Sequence, residues 1–228
     1  MFNPLSFMHA GGPVMWPLLA CAIISVAVMI ERTWFITRAS ADNEVLSEQV
    51  REHLTAGKVN DALAACDEHP GPVSGLLASG IRNRNMDSDT IERTMEELAL
   101  RETPLLYRRL GWLDTIITIA PLLGLLGTVT GMIKSFHVVG STQGLNNPNA
   151  ITGGVAEALL ATATGLAIAI VTLVGYNFLT EKVKEIIAEM EIRATQLMNI
   201  LAGMRGDGVR GEGLKGEGVR GEATASRA

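Results

Sequence analysis

Residues 113–139 read LDTIITIAPLLGLLGTVTGMIKSFHVV, and the fold turns on what that stretch is. It is longer than the roughly 20 apolar residues that cross a hydrocarbon core, so it reads as a membrane helix that projects beyond the lipid. At 3.6 residues per turn, Pro121, Gly124, Thr128, Gly131 and Ser135 fall on one stripe about 80° wide, leaving leucine, isoleucine and valine on the other sides. Small residues let helix backbones approach closely, and a hydroxyl facing lipid gains nothing, so this stripe is expected to face other helices or a pore. From this helix alone, a packing seam whose hydroxyls bond back to their own carbonyls is as good an account as a pore.

A second run shifts the balance. Residues 151–179, ITGGVAEALLATATGLAIAIVTLVGYNFL, repeat the design with Ala158, Thr162, Gly165, Ala169, Thr172 and Tyr176 on one stripe. They also carry Glu157. A carboxylate in an apolar span costs a few kcal/mol or more without a partner or water, which makes it a functional candidate.

The third apolar run, residues 14–35, lies near the start of the chain with Trp16 and Trp34 close to its two ends, where aromatic belts form. No lysine or arginine precedes it and positive charge follows it, which fits a signal anchor better than a cleaved leader. Residues 38–109 hold nine basic residues, whereas residues 1–13 and the connector 140–150 (GSTQGLNNPNA) hold none. By the positive-inside rule the middle of the chain is cytoplasmic and both short segments face outward. A net charge of −5 with 47% hydrophobic residues would by itself fit a soluble domain; the clustering of the apolar residues decides otherwise.

Between the first two spans, residues 44–54 and 58–68 read as short helices around Gly57, and His69-Pro70-Gly71-Pro72 as a breaker. Residues 87–110 read as a longer helix, capped by Ser88 or Asp89, with Ile91, Met95, Leu98 and Leu105 near helical spacing and Pro104 as a kink site. It is expected to run almost directly into the second span. After the third span, Val183, Ile186, Ile187, Met190 and Leu197 form the apolar stripe of an amphipathic cytoplasmic helix. From Gly206 a Gly-acid-Gly-aliphatic-base unit repeats at 206–210, 211–215 and 216–220, a glycine density that builds no core and reads as a disordered tail.

Asp114 and Lys134 lie near opposite ends of the second span, and Lys134 is expected to snorkel toward headgroups. Cys21 lies in the first apolar span and Cys66 in the polar region after it, a topology that argues against a disulfide. His9, His53, His69 and His137 are scattered, without metal-ligand spacing on one helix face, so no metal or cofactor is expected.

The run APLLGLLGTVTGMIKSF, followed after the connector by GGVAEALLATATGLAIAIVTLVGYN, resembles the MotA/TolQ/ExbB family of proton-channel subunits, in particular its ExbB/TolQ branch. GGPVMWPLLACAIISVAVMIER looks like that branch's first membrane helix. The resemblance covers residues 11–38 and 113–181, and the two long motifs in this order make it specific. It implies an all-α integral membrane protein with three spans, the second and third extending into a cytoplasmic helical bundle, assembled as a homo-oligomeric ring, commonly a pentamer. It also implies a single-span ExbD/TolR-like partner that carries the proton-binding aspartate, with a TonB- or TolA-like protein beyond it, in a bacterial inner membrane.

Residue by residue, Thr128 and Thr162 take the positions of the family's pore-facing threonines and Glu157 that of its acidic residue. Hydroxyls relay protons or hold water without the desolvation cost of a fixed charge. On an ideal helix Glu157 lies about 140° around from Thr162, so it is placed toward a subunit boundary or outer entrance rather than as the direct carrier. Pro121, Gly124, Gly127, Gly131, Ala158 and Gly165 are assigned to the pore or to helix packing.

The resulting organisation is a periplasmic N-terminus at 1–13, membrane helices at 14–36, 112–139 and 151–180, a cytoplasmic helical region at 37–111, a periplasmic loop at 140–150, a cytoplasmic amphipathic helix at 181–204 and a Gly-rich tail at 205–228. A MotA-like flagellar stator subunit is the alternative; its four spans and larger cytoplasmic region fit less well. A non-conducting scaffold leaves Glu157 without a purpose. An intramembrane protease needs a nucleophile and base, or a second carboxylate, at membrane depth. No catalytic residue and no nucleic-acid partner are assigned.

Overall fold

A computed structural model describes residues 11–40, 43–140, 148–204 and 206. The readings of residues 1–10, of the connector 141–147 and of nearly all of the tail lie outside the described residues. The described chain is all helical: α1 Met15–Ser40, α2 Asn43–Thr55, α3 Val59–Glu68, α4 Pro72–Arg82, α5 Ser88–Tyr107, α6 Leu110–Gly140 and α7 Pro148–Met204. Three of these helices are long and apolar enough to cross a membrane. Two compact units divide the chain, Met1–Ala41 with Leu100–Ala188, and Asp42–Ala99 with Glu189–Ala228.

The first unit holds α1, α6 and most of α7, and its packing is inverted relative to a soluble bundle. Large side chains point outward, among them Ile23 and Ile30 on α1, Leu122, Ile133 and Phe136 on α6, and Leu159, Ile170 and Val174 on α7. Small ones point inward: Ala120, Gly124, Gly127, Gly131, Ala158, Ala161 and Gly165 are buried. This is the arrangement that lipid selects, because tails as apolar as leucine give no hydrophobic drive and close backbone contact supplies the attraction instead. Near the start of α1, Val14, Met15 and Leu18 form a buried cluster with Ile116, Ala120 and Ala169. Farther along α1, Ser25 Oγ lies 2.7 Å from Thr172 Oγ1, a buried hydroxyl pair joining α1 to α7.

The second unit packs the other way round, with large apolar side chains inside. Leu46, Val50 and Leu54 line the buried face of α2 at four-residue spacing, facing a core to which α4 brings Val73, Leu76, Leu77 and Ile81. Gly57, with φ +73°, ends α2 in a left-handed cap: Lys58 N–H donates to His53 O at 2.8 Å and Gly57 N–H to Leu54 O at 2.9 Å. Ile91, Met95, Met190 and Leu197 are also buried, whereas Leu105, in the first unit, is exposed. Gly80 lets α4 pass close to α5 and α7, since a Cβ there would stand 2.6 Å from Leu197 and 2.8 Å from Met95.

Two local readings need correction. The breaker at 69–72 ends in a helix start, because Pro72 fits the first helical position and the Ser74 hydroxyl both accepts from Gly71 N–H and donates to Gly71 O, each at 2.9 Å. α5 is capped by Asp87 rather than Ser88 or Asp89, its carboxylate accepting from Thr90 N–H at 3.1 Å and Thr90 Oγ1 at 2.7 Å. As expected, α5 runs almost directly into α6: only Arg108 and Arg109, the latter with φ 69°, lie between them.

Candidate functional site

The site is the seam between α6 and α7. Being antiparallel neighbours joined by one connector, the helices meet residue against residue at matched distances from it. A Cβ on Gly131 would stand 2.8 Å from Ala158 Cβ, one on Gly127 2.5 Å from Ala161 Cβ, one on Gly124 2.9 Å from Thr162 Cα, and one on Gly165 2.5 Å from Ala120 O. These four glycines are set by contact: the partner atoms are backbone or Cβ and have no rotamer in which to withdraw. The seam therefore follows Gly124, Gly127, Gly131 and Ser135 on α6, with Thr128 half-buried beside it. Pro121 is half-buried inside α6, where its missing N–H leaves one carbonyl of the preceding turn without its helical donor.

The hydroxyls divide into two kinds. Thr162 Oγ1 donates across the seam to Gly124 O at 2.8 Å, an interhelical hydrogen bond. Thr128 Oγ1 donates back to Leu125 O of its own helix at 2.6 Å, and Ser135 Oγ to Gly131 O at 3.1 Å. Thr162 thus meets Gly124 rather than Thr128, and the centre of the α7 face is Ala158, Ala161 and Gly165.

At the end of the seam nearest the connector, Lys134 Nζ lies 2.7 Å from Glu157 Oε1. The Lys134 side chain is 52% exposed and that of Glu157 25%, so the carboxylate is the more enclosed partner. This corrects the expectation that Lys134 reaches for headgroups: its amine finds a carboxylate one helix away. Behind the carboxylate is Gly12, whose φ of +73° turns the chain into α1 and whose missing Cβ makes the room, since an added Cβ would overlap the Glu157 carboxylate. Glu157 is held between three segments: the Gly12 turn, α6 and its own helix.

Sequence reasoning missed a second polar centre. Arg32, 4% exposed on α1, contacts Glu31 through Nε at 2.8 Å and Nη2 at 2.9 Å, reaches Leu105 O with Nη1 at 3.4 Å, and stacks 4.8 Å from the Phe35 ring centroid. Arg109, the residue of positive φ between α5 and α6, adds Nη1 to Glu31 Oε1 at 2.9 Å. The Glu-Arg pair at the end of the first apolar run was the available signal; its partner Arg109, far along the sequence, was not legible locally. Asp114 is exposed at the same end of α6, and Thr118 Oγ1 bonds its backbone carbonyl at 3.2 Å.

The chain matches the family model described as MotA/TolQ/ExbB proton channel family over residues 68–192. An ExbB-like protein of Synechocystis sp. is 34% identical over 171 residues, covering 74% of this chain and 80% of that protein. Biopolymer transport protein ExbB of Aquifex aeolicus is 39% identical over 116 residues, covering 50% and 76%. Biopolymer transport protein exbB1 of Vibrio cholerae is 29% identical over 199 residues, covering 85% and 86%. The matched region holds both seam helices, with Thr128, Lys134, Glu157 and Thr162 in it, and together with the three apolar helices it marks an all-helical membrane protein. The chain belongs to the MotA/TolQ/ExbB proton channel family.

Proposed function

We propose that this chain is the ion-conducting, ring-forming subunit of an inner-membrane energy-transducing complex of the ExbB/TolQ type. In this reading several copies, commonly five in the family, surround the helix of an ExbD/TolR-like partner whose aspartate carries the proton. Proton flow drives outer-membrane transport or envelope maintenance through a TonB- or TolA-like protein. The N-terminus is periplasmic and the C-terminus cytoplasmic. Thr128 and Thr162 flank the path, Glu157 stands at its outer entrance, and Pro121, Gly124, Gly127, Gly131, Ala158 and Gly165 set helix spacing.

The observation that carries the reading is the α6–α7 seam. Its small residues face inward, its large apolar residues face outward, and a paired carboxylate lies at its end. A bare monomer in lipid would gain nothing from the half-buried Thr128 beside that seam, whereas a ring gives it neighbours or water. The Thr162 bond to Gly124 O favours a second reading, in which the threonine stripe is only a packing seam.

Thr162→Val separates the two, because it keeps the shape and removes the hydroxyl. The Gly124 carbonyl lies within α6 and keeps its helical acceptor role, so the lost bond costs only about 0.6–1.5 kcal/mol. The expected result in proteoliposomes with the single-span partner is normal insertion and complex size with proton flux lowered at least several-fold. Undiminished flux would refute conduction along the threonine stripe.

A further inference from the structure

Among the described residues of the seam, Glu157 is the carboxylate, and Lys134 is seated on it. An alkali cation entering a membrane path must exchange its hydration shell for several protein oxygens, and a free carboxylate supplies the strongest of them. A proton needs only one oxygen at a time and moves along hydroxyls and water. At the outer end of the seam, Glu157 Oε1 has an ammonium 2.7 Å away on the α6 side. Gly12 closes the other side: its Cα lies where any larger residue would collide with the same carboxylate. The seam hydroxyls give their protons to backbone carbonyls, Thr162 to Gly124 O, Thr128 to Leu125 O and Ser135 to Gly131 O, which leaves the lone pairs of the two threonine oxygens available beside a freed carboxylate.

We infer that Lys134 is a specificity-determining residue: held on the Glu157 carboxylate, it occupies the place an alkali cation would take and so keeps sodium out of a path open to protons. The pair is net neutral, so it raises no positive barrier of its own to a proton. Lys134 has the reach for this on a flexible stem, and its half-exposed amine leaves room for hydration that a buried guanidinium would not need. The transport consequence rests on the conduction proposed above; the statement that Lys134 blocks a sodium site does not.

The experiment is built on that separation. Thermal unfolding of the full chain in mild detergent is followed in sodium chloride against choline chloride at equal ionic strength. The wild-type protein and Lys134→Arg are expected to show no sodium-specific shift. Lys134→Gln frees the carboxylate and is expected to gain about 2–4 °C at 150 mM sodium, the size for a site half-filled at tens of millimolar. Lys134→Ala, which adds no amide of its own, should gain likewise, and Lys134→Gln/Glu157→Gln should lose the gain. Absence of a sodium-specific shift in both Lys134→Gln and Lys134→Ala, or its persistence in the double variant, overturns the inference. In proteoliposomes with the partner, Lys134→Gln should raise radioactive sodium uptake at least five-fold over wild type, and uptake equal to wild type overturns the specificity role. If the wild-type complex carries no protons while the unfolding pattern holds, the proposed function falls and the sodium-site assignment stands.

Discussion

Gly165→Ala tests the seam where it is held by backbone contact alone. The added Cβ would lie 2.5 Å from the Ala120 carbonyl oxygen, 3.2 Å from Gly124 Cα and 3.3 Å from the Ala120 carbonyl carbon. All three are backbone atoms, so α7 must back away from α6 by about 1 Å, a gap that forfeits roughly a quarter to a half of the dispersion between facing atoms. Overpacking of this kind costs about 1–3 kcal/mol. Alanine also stiffens a helix by about 0.5–1 kcal/mol relative to glycine, which would mask part of the loss. Gly153→Ala supplies the control, since it lies in the same helix and its added Cβ meets no atom within 4 Å. The propensity gain cancels between the two variants, leaving the contact. At about 2–4 °C per kcal/mol for a chain of this size, the unfolding midpoints should separate by about 2–12 °C, Gly165→Ala being lower. Midpoints that coincide at one detergent composition and scan rate would refute the claim that backbone contact holds α6 to α7.

Arg32→Ala should lower stability by about 1–3 kcal/mol, less than a fully buried pair would lose, because it strips a donor from Leu105 O and one partner from the partly exposed Glu31. Removing all three charges in Glu31→Gln/Arg32→Met/Arg109→Gln should cost less than Arg32→Ala alone, and thermal unfolding of wild type and the two variants checks the order. Burial, with a smaller push from Asp67, raises the Cys66 thiol to about 11. Its thiolate fraction at pH 8 is then about one in a thousand, so peptide mass spectrometry should find it alkylated slowly, with a rate rising roughly ten-fold per pH unit up to pH 11 and the protection lost on unfolding. Rapid alkylation of the folded protein at pH 8 would contradict the burial.

Much of the fold was legible because its strongest signals are local. Glycine, threonine and alanine at helical spacing announce a helix–helix contact in lipid whatever the partner is, and Gly57 announces a helix end because few other residues take a left-handed cap cheaply. What escaped depended on contact across the chain. α4 does carry a helical period, with Val73, Leu76, Leu77 and Ile81 at i, i+3, i+4 and i+8, but it is only 11 residues long and follows a double-proline breaker that drew the reading toward a loop. The end of α5 hides in a run, Tyr107-Arg108-Arg109-Leu110, without glycine or a further proline to mark it; the φ of Arg109 is accompanied by the ion pair to Glu31 that no local pattern displays.

The site divides in the same way, and one step more was available. The small-residue stripe gave the seam, but helical periodicity alone could not say whether Gly127 or Thr128 would be its centre, since the two are 100° apart on the wheel and the stripe is about 80° wide. The structure seats Gly127 against Ala161 and leaves Thr128 at the side. The ion pair follows from a different rule. In an antiparallel hairpin, residues equally far from the connector meet, and Lys134 and Glu157 flank residues 140–150 at nearly equal distances. Reading each charge against its own helix assigned Lys134 to headgroups and Glu157 to a subunit boundary or outer entrance without a partner; reading them against the hairpin register pairs them. A membrane helix that carries one acid and a neighbour that carries one base at mirrored positions should therefore be tested for a pair before either is given a solvent or lipid role, because the cost of leaving both charges apart in lipid exceeds that of bringing them together.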